Sequence, residues 1–483
     1  MNKEKSIGLD KNALKSGSSY MFSNILIKSS AIITAPIFTR LLSTSDYGIA
    51  SNFAAWLNIG SVILGLGLTY TIGNAYMDFP NKLNKYLASI QTLGSIVSVL
   101  FLLLAILFRT QLAEIMELDQ GLVLIMFIYL LIFPSFIFAQ ESFKFTLAYK
   151  QNIFISIFNT LGSILFCFLF IYIFSDHRYY GRIIGLIFPV FIMGSLFFIK
   201  IIRQGWSNEI HKYWKYALKI SLPMIPHALA MVVLSQLDRI MIINLCGSSD
   251  AGLYSFGLTY ASLALIFSNA VMQAFVPWLY VSYQGQDFKS IKSSNNIICL
   301  IMCVLTFGII TVAPELLNLL GSKDFQDAKF VVMPLAIGSL FQYVYNTYSS
   351  LELYHKKTII IAIGTVLAGV LNYILNLLFI PKFGYVAAGY TTLVSYFTLA
   401  LFHMYACNRI CKKRVFDDNY VWSVTILATI ASFFIIYLYE YFLERYLVLF
   451  FSLSIIAFFQ KAKVRVVYDL ITNQLIKKSD ITG

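Results

Sequence analysis

Charge is scarce in this 483-residue chain. Only 12% of its residues are Asp, Glu, Lys or Arg, against roughly 25% in a soluble domain. With 59% apolar residues and a mean hydropathy of +0.75, there are too few polar groups to cover a water-facing surface. Lipid must solvate most of the chain. Catalytic signatures are missing as well. Without a GxxxxGK[ST] loop to cradle phosphates, ATP hydrolysis is not expected. HExxH, GxSxG and CxxC are also absent, and the five histidines are scattered. The six cysteines fall mostly in apolar runs, so they read as small buried hydrophobes rather than a zinc or redox site. No stretch between apolar runs exceeds about twenty residues, roughly the length of one span. That leaves no room for the extramembrane domain with which membrane glycosyltransferases and polymerases usually hold substrate. These absences favour moving a substrate over transforming it; neither enzymatic activity nor a cofactor is expected.

Apolar runs of about twenty residues are abundant, and in hydrocarbon such runs cross as helices because their backbone groups must bond within the segment. Counting between charges predicts spans near 19–40, 48–76, 86–108, 120–143, 151–175 and 183–201. A second series follows near 218–244, 251–280, 293–318, 328–351, 358–380 and 384–408, then a pair near 419–439 and 446–460. The expected fold is an all-α integral membrane protein of about fourteen spans: two pseudo-symmetric six-helix lobes and a C-terminal helix pair. Its parts would be an N-terminal lobe over 1–204, an interfacial linker over 205–217, a C-terminal lobe over 218–410, and a helix pair with its tail over 411–483. Trp206, Trp214, Lys212 and Lys215 suit the linker to a headgroup region. The first eighteen or so residues are polar, and the apolar run after them lacks a small-residue cleavage site, so it is expected to stay as the first span.

The net charge of +13 would suggest nucleic acid in a soluble protein; here it follows membrane topology, and no nucleic-acid partner is expected. If all fourteen segments cross, alternate loops carry about 26 and about nine Lys and Arg, the smaller set including Arg40, Arg109, Arg178, Arg182, Arg239 and Arg445. The bias places both termini in the cytoplasm. Dropping the last span would export Lys461, Lys463, Arg465, Lys477 and Lys478 against it.

A repeat links the two series. Asp46-Tyr-Gly-Ile-Ala-Ser51 follows the first span and Asp250-Ala-Gly-Leu-Tyr-Ser255 the seventh, each opening the next helix with Asp as N-cap candidate. Paired repeats with a site between them are a common transporter plan. Polar residues inside spans are candidates for such a site. Lys28 is one, read either as facing a cavity or as snorkelling to the cytoplasmic headgroups. His227, after Pro223 and Pro226, occupies a comparable level in the seventh span and is read either as a cavity group or as a packed neutral ring. Asp238 and Arg239 lie toward the outer end of that span. Asn372 and Asn376, four apart, are spaced for interhelical bonding or substrate contact, and Asn24 is a further lining candidate. Glu141 with Lys144, and Glu352 with Lys356, are spaced for solvated pairs at helix ends.

Ordered motifs then suggest a family. Pro36-Ile-Phe-Thr-Arg-Leu-Leu42 with Asp46-Tyr-Gly48, Leu222-Pro-Met-Ile-Pro-His227, Leu237-Asp-Arg-Ile-Met-Ile242, Ala274-Phe-Val-Pro-Trp278, Asn372-Tyr-Ile-Leu-Asn376 and Ile380-Pro-Lys-Phe-Gly384 span nearly the whole chain. The set resembles Wzx-type polysaccharide-biosynthesis flippases of the multidrug/oligosaccharidyl-lipid/polysaccharide exporter superfamily. The resemblance implies alternating access around a partly cationic cavity. The implied substrate is a polyprenyl-diphosphate-linked oligosaccharide, moved to the outer leaflet of a bacterial inner membrane for O-antigen or capsule synthesis. It also implies a coupling ion (H+ or Na+), membrane lipid and a polysaccharide polymerase as partners. A lipid II flippase, a cation-coupled drug exporter, a pathway polymerase or acyltransferase, and an inert scaffold stay open as alternatives.

Overall fold

The computed structural model describes residues 33–146, 148–206 and 209–459. Among them helix dominates and no strand occurs. The helices used below are α1 (Thr44–Leu64), α2 (Leu83–Leu107), α3 (Gln120–Phe145), α4 (Tyr149–Ile173), α5 (Arg178–Gly205), α6 (Ile210–Ser221), α7 (Ile225–Cys246) and α8 (Ser248–Gln284). Then follow α9 (Phe288–Leu320), α10 (Lys329–Tyr354), α11 (Thr358–Phe383), α12 (Tyr385–Cys411), α13 (Asp418–Tyr437) and α14 (Phe442–Phe459). Eleven helical segments among the described residues are long and apolar enough to cross a membrane. Helices α7 and α14 lie at two more of the expected spans, and most of the first, near 19–40, falls outside the described residues.

Two expected spans are broken, each for a backbone reason. The 48–76 run ends as helix at Leu64, where Leu66 and Gly67 take φ of 48° and 61°, a left-handed bend that the α-helix cannot absorb. A 3-10 turn over Leu68–Thr71 and a short helix over Ile72–Asp78 follow. The 218–244 run is interrupted by a 3-10 turn at Leu222–Met224, and α7 then starts with Pro226 in its first turn, where the missing N–H is harmless. The residues ahead of that turn belong to α6, which is amphipathic. It buries Tyr213, Ala217 and Ser221, donates Trp214 Nε1 to Ser89 O at 2.6 Å, and leaves His211, Lys212, Lys215 and Lys219 exposed.

The chain divides into two compact units. One comprises Met1–Tyr260, Asn318–Val331 and Ala362–Ser395; the other Ala261–Leu317, Val332–Ile361 and Tyr396–Gly483. In the first, α3 supplies the apolar centre through Leu122, Val123, Met126 and Leu130, all buried. Helix α11 is organised inside out. Thr365, Ala368, Asn372, Asn376 and Ile380 are buried along one stripe, while Leu367, Val370, Ile374, Leu377 and Leu378 are exposed. Against lipid tails apolar burial adds no driving force, so small and polar residues hold the interface instead.

The second unit buries several ionisable side chains, each with a hydrogen-bonding partner. Arg445, in the first turn of α14, bonds to Glu315 of α9 and donates to Tyr439 O at 3.0 Å. Asp418 at the start of α13 accepts from Tyr348 and Asn408, each at 2.8 Å. The expected solvated pair of Glu352 and Lys356 does not form. Glu352 is fully buried and lies 2.9 Å from Nδ1 of an equally buried His403 on α12. Lys356 sits beyond the helix end with φ of 58°, so the i,i+4 register needed for the pair is lost. Glu141 and Lys144 do pair.

Candidate functional site

The repeated segment is where the first unit closes on itself. Asp46 is not the N-cap of α1. Ser43 is, its Oγ accepting from Asp46 N while Asp46 Oδ2 accepts from Ser43 N and Oγ, a reciprocal capping box. Helix α8 opens at the equivalent position, Ser248, with Asp250 in its first turn. The two helix starts then meet as related copies. Thr44 pairs with Ser249 at 2.6 Å, Ser45 with Ser248 at 2.7 Å, and Ser51 with Ser255 at 2.6 Å. A shift of 204 residues carries 44 to 248, 45 to 249 and 51 to 255 (248 − 44 = 204), so the same operation exchanges the first two bonds and maps the third onto itself. The glycines obey it too. A Cβ on Gly48 would lie 1.8 Å from Ser248 O, and one on Gly252 would lie 1.9 Å from Thr44 O. Backbones this close tolerate no side chain at either position.

In the same unit, three of the sequence candidates come together. Asp238 is buried on α7 and accepts three hydrogen bonds: from Asn376 Nδ2 at 2.7 Å to Oδ1, and from Tyr254 and Thr392 hydroxyls at 2.7 and 2.6 Å to Oδ2. Asn376 also donates to Asn372 Oδ1 at 3.2 Å, Asn372 donates to Thr392 at 3.2 Å, and Thr391 donates to Asn376 Oδ1. One carboxylate, two amides, two threonines and a tyrosine from α7, α8, α11 and α12 thus form a closed polar knot. Its four-residue asparagine spacing was legible in sequence. Tyr254, Thr391 and Thr392 were not, since nothing in a single chain pairs α12 with α7.

The other candidates lie elsewhere. Arg239, half-buried, donates to Gln236, and its Nε is buried without a partner among the described residues. It forms no ion pair with Asp238 among the described residues, as expected for neighbours pointing to different helix faces. His227 sits in the first turn of α7. Lys28 and Asn24 lie outside the described residues. Beside the knot, a groove of about 520 Å³ runs along α11 and α12, lined by Leu375, Phe379, Phe383, Tyr390, Thr391 and Val394 among others. Thr391 both faces this apolar groove and bonds into the knot.

Chemically the knot offers hard oxygen ligands around one carboxylate, the donor type that suits protons and small hard cations. No group of three His, Cys, Asp or Glu that could hold a metal is present among the described residues.

Repeated helix starts packed as two-fold copies, long apolar helices and a buried polar knot define a polytopic membrane protein built around a duplicated segment. The profile of the family "Polysaccharide biosynthesis protein" matches residues 13–282, more than half of the chain. The chain belongs to that family, in agreement with the resemblance carried by its motifs. It is 28% identical over 160 residues to the probable low-salt glycan biosynthesis flippase Agl15 of Haloferax volcanii, a match over 32% of this chain and 34% of that one. The match thus spans about a third of that relative. An uncharacterised membrane protein of Haemophilus influenzae is 22% identical over 369 residues, covering 74% of this chain and 87% of its own. The fold is that of the lipid II flippase MurJ in an inward closed conformation (TM-score 0.70, 16% identity, 93% of this chain and all of that one). An inward-facing multidrug resistance MATE transporter also shares it (TM-score 0.62, 13% identity, 84% of this chain and all of that one).

Proposed function

We propose that this protein is a flippase that carries a polyprenyl-diphosphate-linked oligosaccharide from the cytoplasmic to the outer leaflet of a bacterial inner membrane. The product would feed O-antigen or capsule synthesis, with a polysaccharide polymerase as downstream partner. Membership of the polysaccharide biosynthesis family, on a fold shared with MurJ and MATE transporters, carries this reading. A diphosphate and hydrated sugars cannot enter hydrocarbon unaided, whereas a polyprenyl tail can stay in it. Movement follows alternating access of two lobes, 1–204 and 218–410, joined by the linker at 205–217. Fourteen spans put both termini in the cytoplasm, and the Thr44/Ser249 seam is then the outer closure. Lys28 neutralises the diphosphate, with His227, Arg239 and Asn24 as further lining groups. The oxygen-rich knot around Asp238, Asn372 and Asn376 takes the coupling ion, a proton or sodium.

The test is leaflet sidedness. In cells lacking the gene, the sugar-labelled lipid should accumulate facing the cytoplasm, and the wild-type protein should relieve it. Lys28→Ala at normal abundance should fail to do so. If the labelled unit reaches the outer leaflet without the protein, the flippase reading is wrong and an enzyme of the pathway replaces it. The likeness to the MurJ fold supports a second reading, a lipid II flippase. It predicts loss of peptidoglycan synthesis, rather than of surface polysaccharide, on depletion.

A further inference from the structure

At the end of α12 and the start of α13, the charge-rich face assigned above to the cytoplasm, a groove of about 620 Å³ lies within the second unit. Its lining is graded. Asn408, Arg409 and Arg414 stand at one end, and Trp422 and Ile426 at the other. Asp418 and Ile426 are separated by about 12 Å of helix, enough to run from a headgroup into the acyl region. Two acids sit among the cations, and neutral donors engage both. Asp418 accepts from Tyr348 and Asn408, while Asp417 accepts from Tyr420 N at 3.3 Å and Asn296 Nδ2 at 3.2 Å. Arg414 approaches Asp418 only to 3.9 Å, and its side chain is 70% exposed. Arg409 is exposed and gives Nε to Tyr405 OH at 3.0 Å, which leaves the terminal nitrogens of its planar fork for another acceptor. Lys412 and Lys413 stand in the same connection, both exposed.

Forked cationic donors above an apolar slot match a phosphodiester above an acyl chain. We propose that this groove binds an anionic glycerophospholipid of the cytoplasmic leaflet, its phosphate on Arg409 and Arg414 and its chain along Trp422 and Ile426. A free phosphate would leave the apolar half without a role. A phospholipid uses both ends, and Tyr405 and Ile426 are exposed where an acyl chain would arrive. The proposal does not depend on the transport reading.

The test is lipid retention by the full-length protein, read by native mass spectrometry after reconstitution in phosphatidylcholine with or without phosphatidylglycerol. Arg409→Gln and Arg414→Gln should each weaken phosphatidylglycerol retention about fivefold, and the double variant about thirtyfold, from the usual strength of one basic residue at an anionic surface. Lys82→Gln, on another short connection, should leave retention unchanged. Ile426→Trp, which narrows the apolar half and keeps both arginines, should also lower it. Equal retention of the two lipids, or a double variant indistinguishable from wild type, overturns the proposal. Displacement by millimolar inorganic phosphate would make this a free-anion site, and displacement by geranyl diphosphate in preference to phosphatidylglycerol would assign it to an isoprenoid diphosphate. Either result also overturns it.

Discussion

At Asp238 a single buried carboxylate satisfies three donors. Asp238→Ala would strand one N–H of Asn376 Nδ2 and two hydroxyls, at about 1–3 kcal/mol for each buried group left unpaired. Thermal unfolding in detergent should therefore fall by many degrees. Asp238→Asn keeps an acceptor toward Asn376 and presents an amide to Tyr254 and Thr392, whose hydroxyls can rotate to accept it. It should unfold close to wild type while losing whatever ion dependence transport shows. Equal destabilisation by the two substitutions would mean that the charge itself holds the knot. Glu352 and His403 invite a different experiment. Removing one partner of a buried hydrogen bond leaves the other unpaired at about 1–3 kcal/mol, whereas replacing both by apolar groups is often near neutral. His403→Ala should thus be less stable than Glu352→Leu/His403→Leu, measured by the same melting assay. Sequence spacing assigned Glu352 to solvent because Lys356 stands four residues on. The burial comes from α12, fifty-one positions away, which no local pattern reports.

Elements were more legible than contacts, because a span announces itself by twenty apolar residues and a contact does not. The boundaries that moved did so at glycine and proline, at Gly65–Gly67 and Pro223–Pro226, where apolar content stays high and only backbone geometry changes. The repeat around Gly48 and Gly252 was visible as two short related strings, but its packing was not. Gly48→Ala puts a methyl where Ser248 O already stands, so α1 and α8 must separate. Loss of transport at normal abundance is expected, with Gly252→Ala matching it because the two glycines are exchanged by the same operation. Ser51→Cys/Ser255→Cys tests the seam directly. The two Oγ atoms lie 2.6 Å apart, so oxidation should cross-link the halves. After cleavage at a protease site placed near Trp206, the fragments should stay joined on a non-reducing gel and part on reduction. Fragments that part without reductant would place the two helix starts farther apart than this.

For the whole molecule, the number of crossings turns on α14. Its 18 residues make about 27 Å of helix, just short of a typical hydrocarbon core of roughly 30 Å. Arg445 near its start would forbid insertion if it were bare. Its pairing with Glu315 and its bond to Tyr439 O remove that objection, since an intramembrane cation is tolerated when a partner faces it. The five basic residues beyond 460 then return to the side that holds the other short basic loops, as the positive-inside bias favours. A protease-sensitive tag after Gly483 should be cleaved only in permeabilised cells, in step with a thiol placed at Lys356. A thiol at Asp324, between α9 and α10, should react from outside intact cells with an impermeant reagent in a cysteine-free background. If the C-terminal tag is cut from outside while the other two sites behave as stated, α14 does not cross. The basic tail would then face outward against the charge bias, and the count would drop by one without disturbing the paired halves.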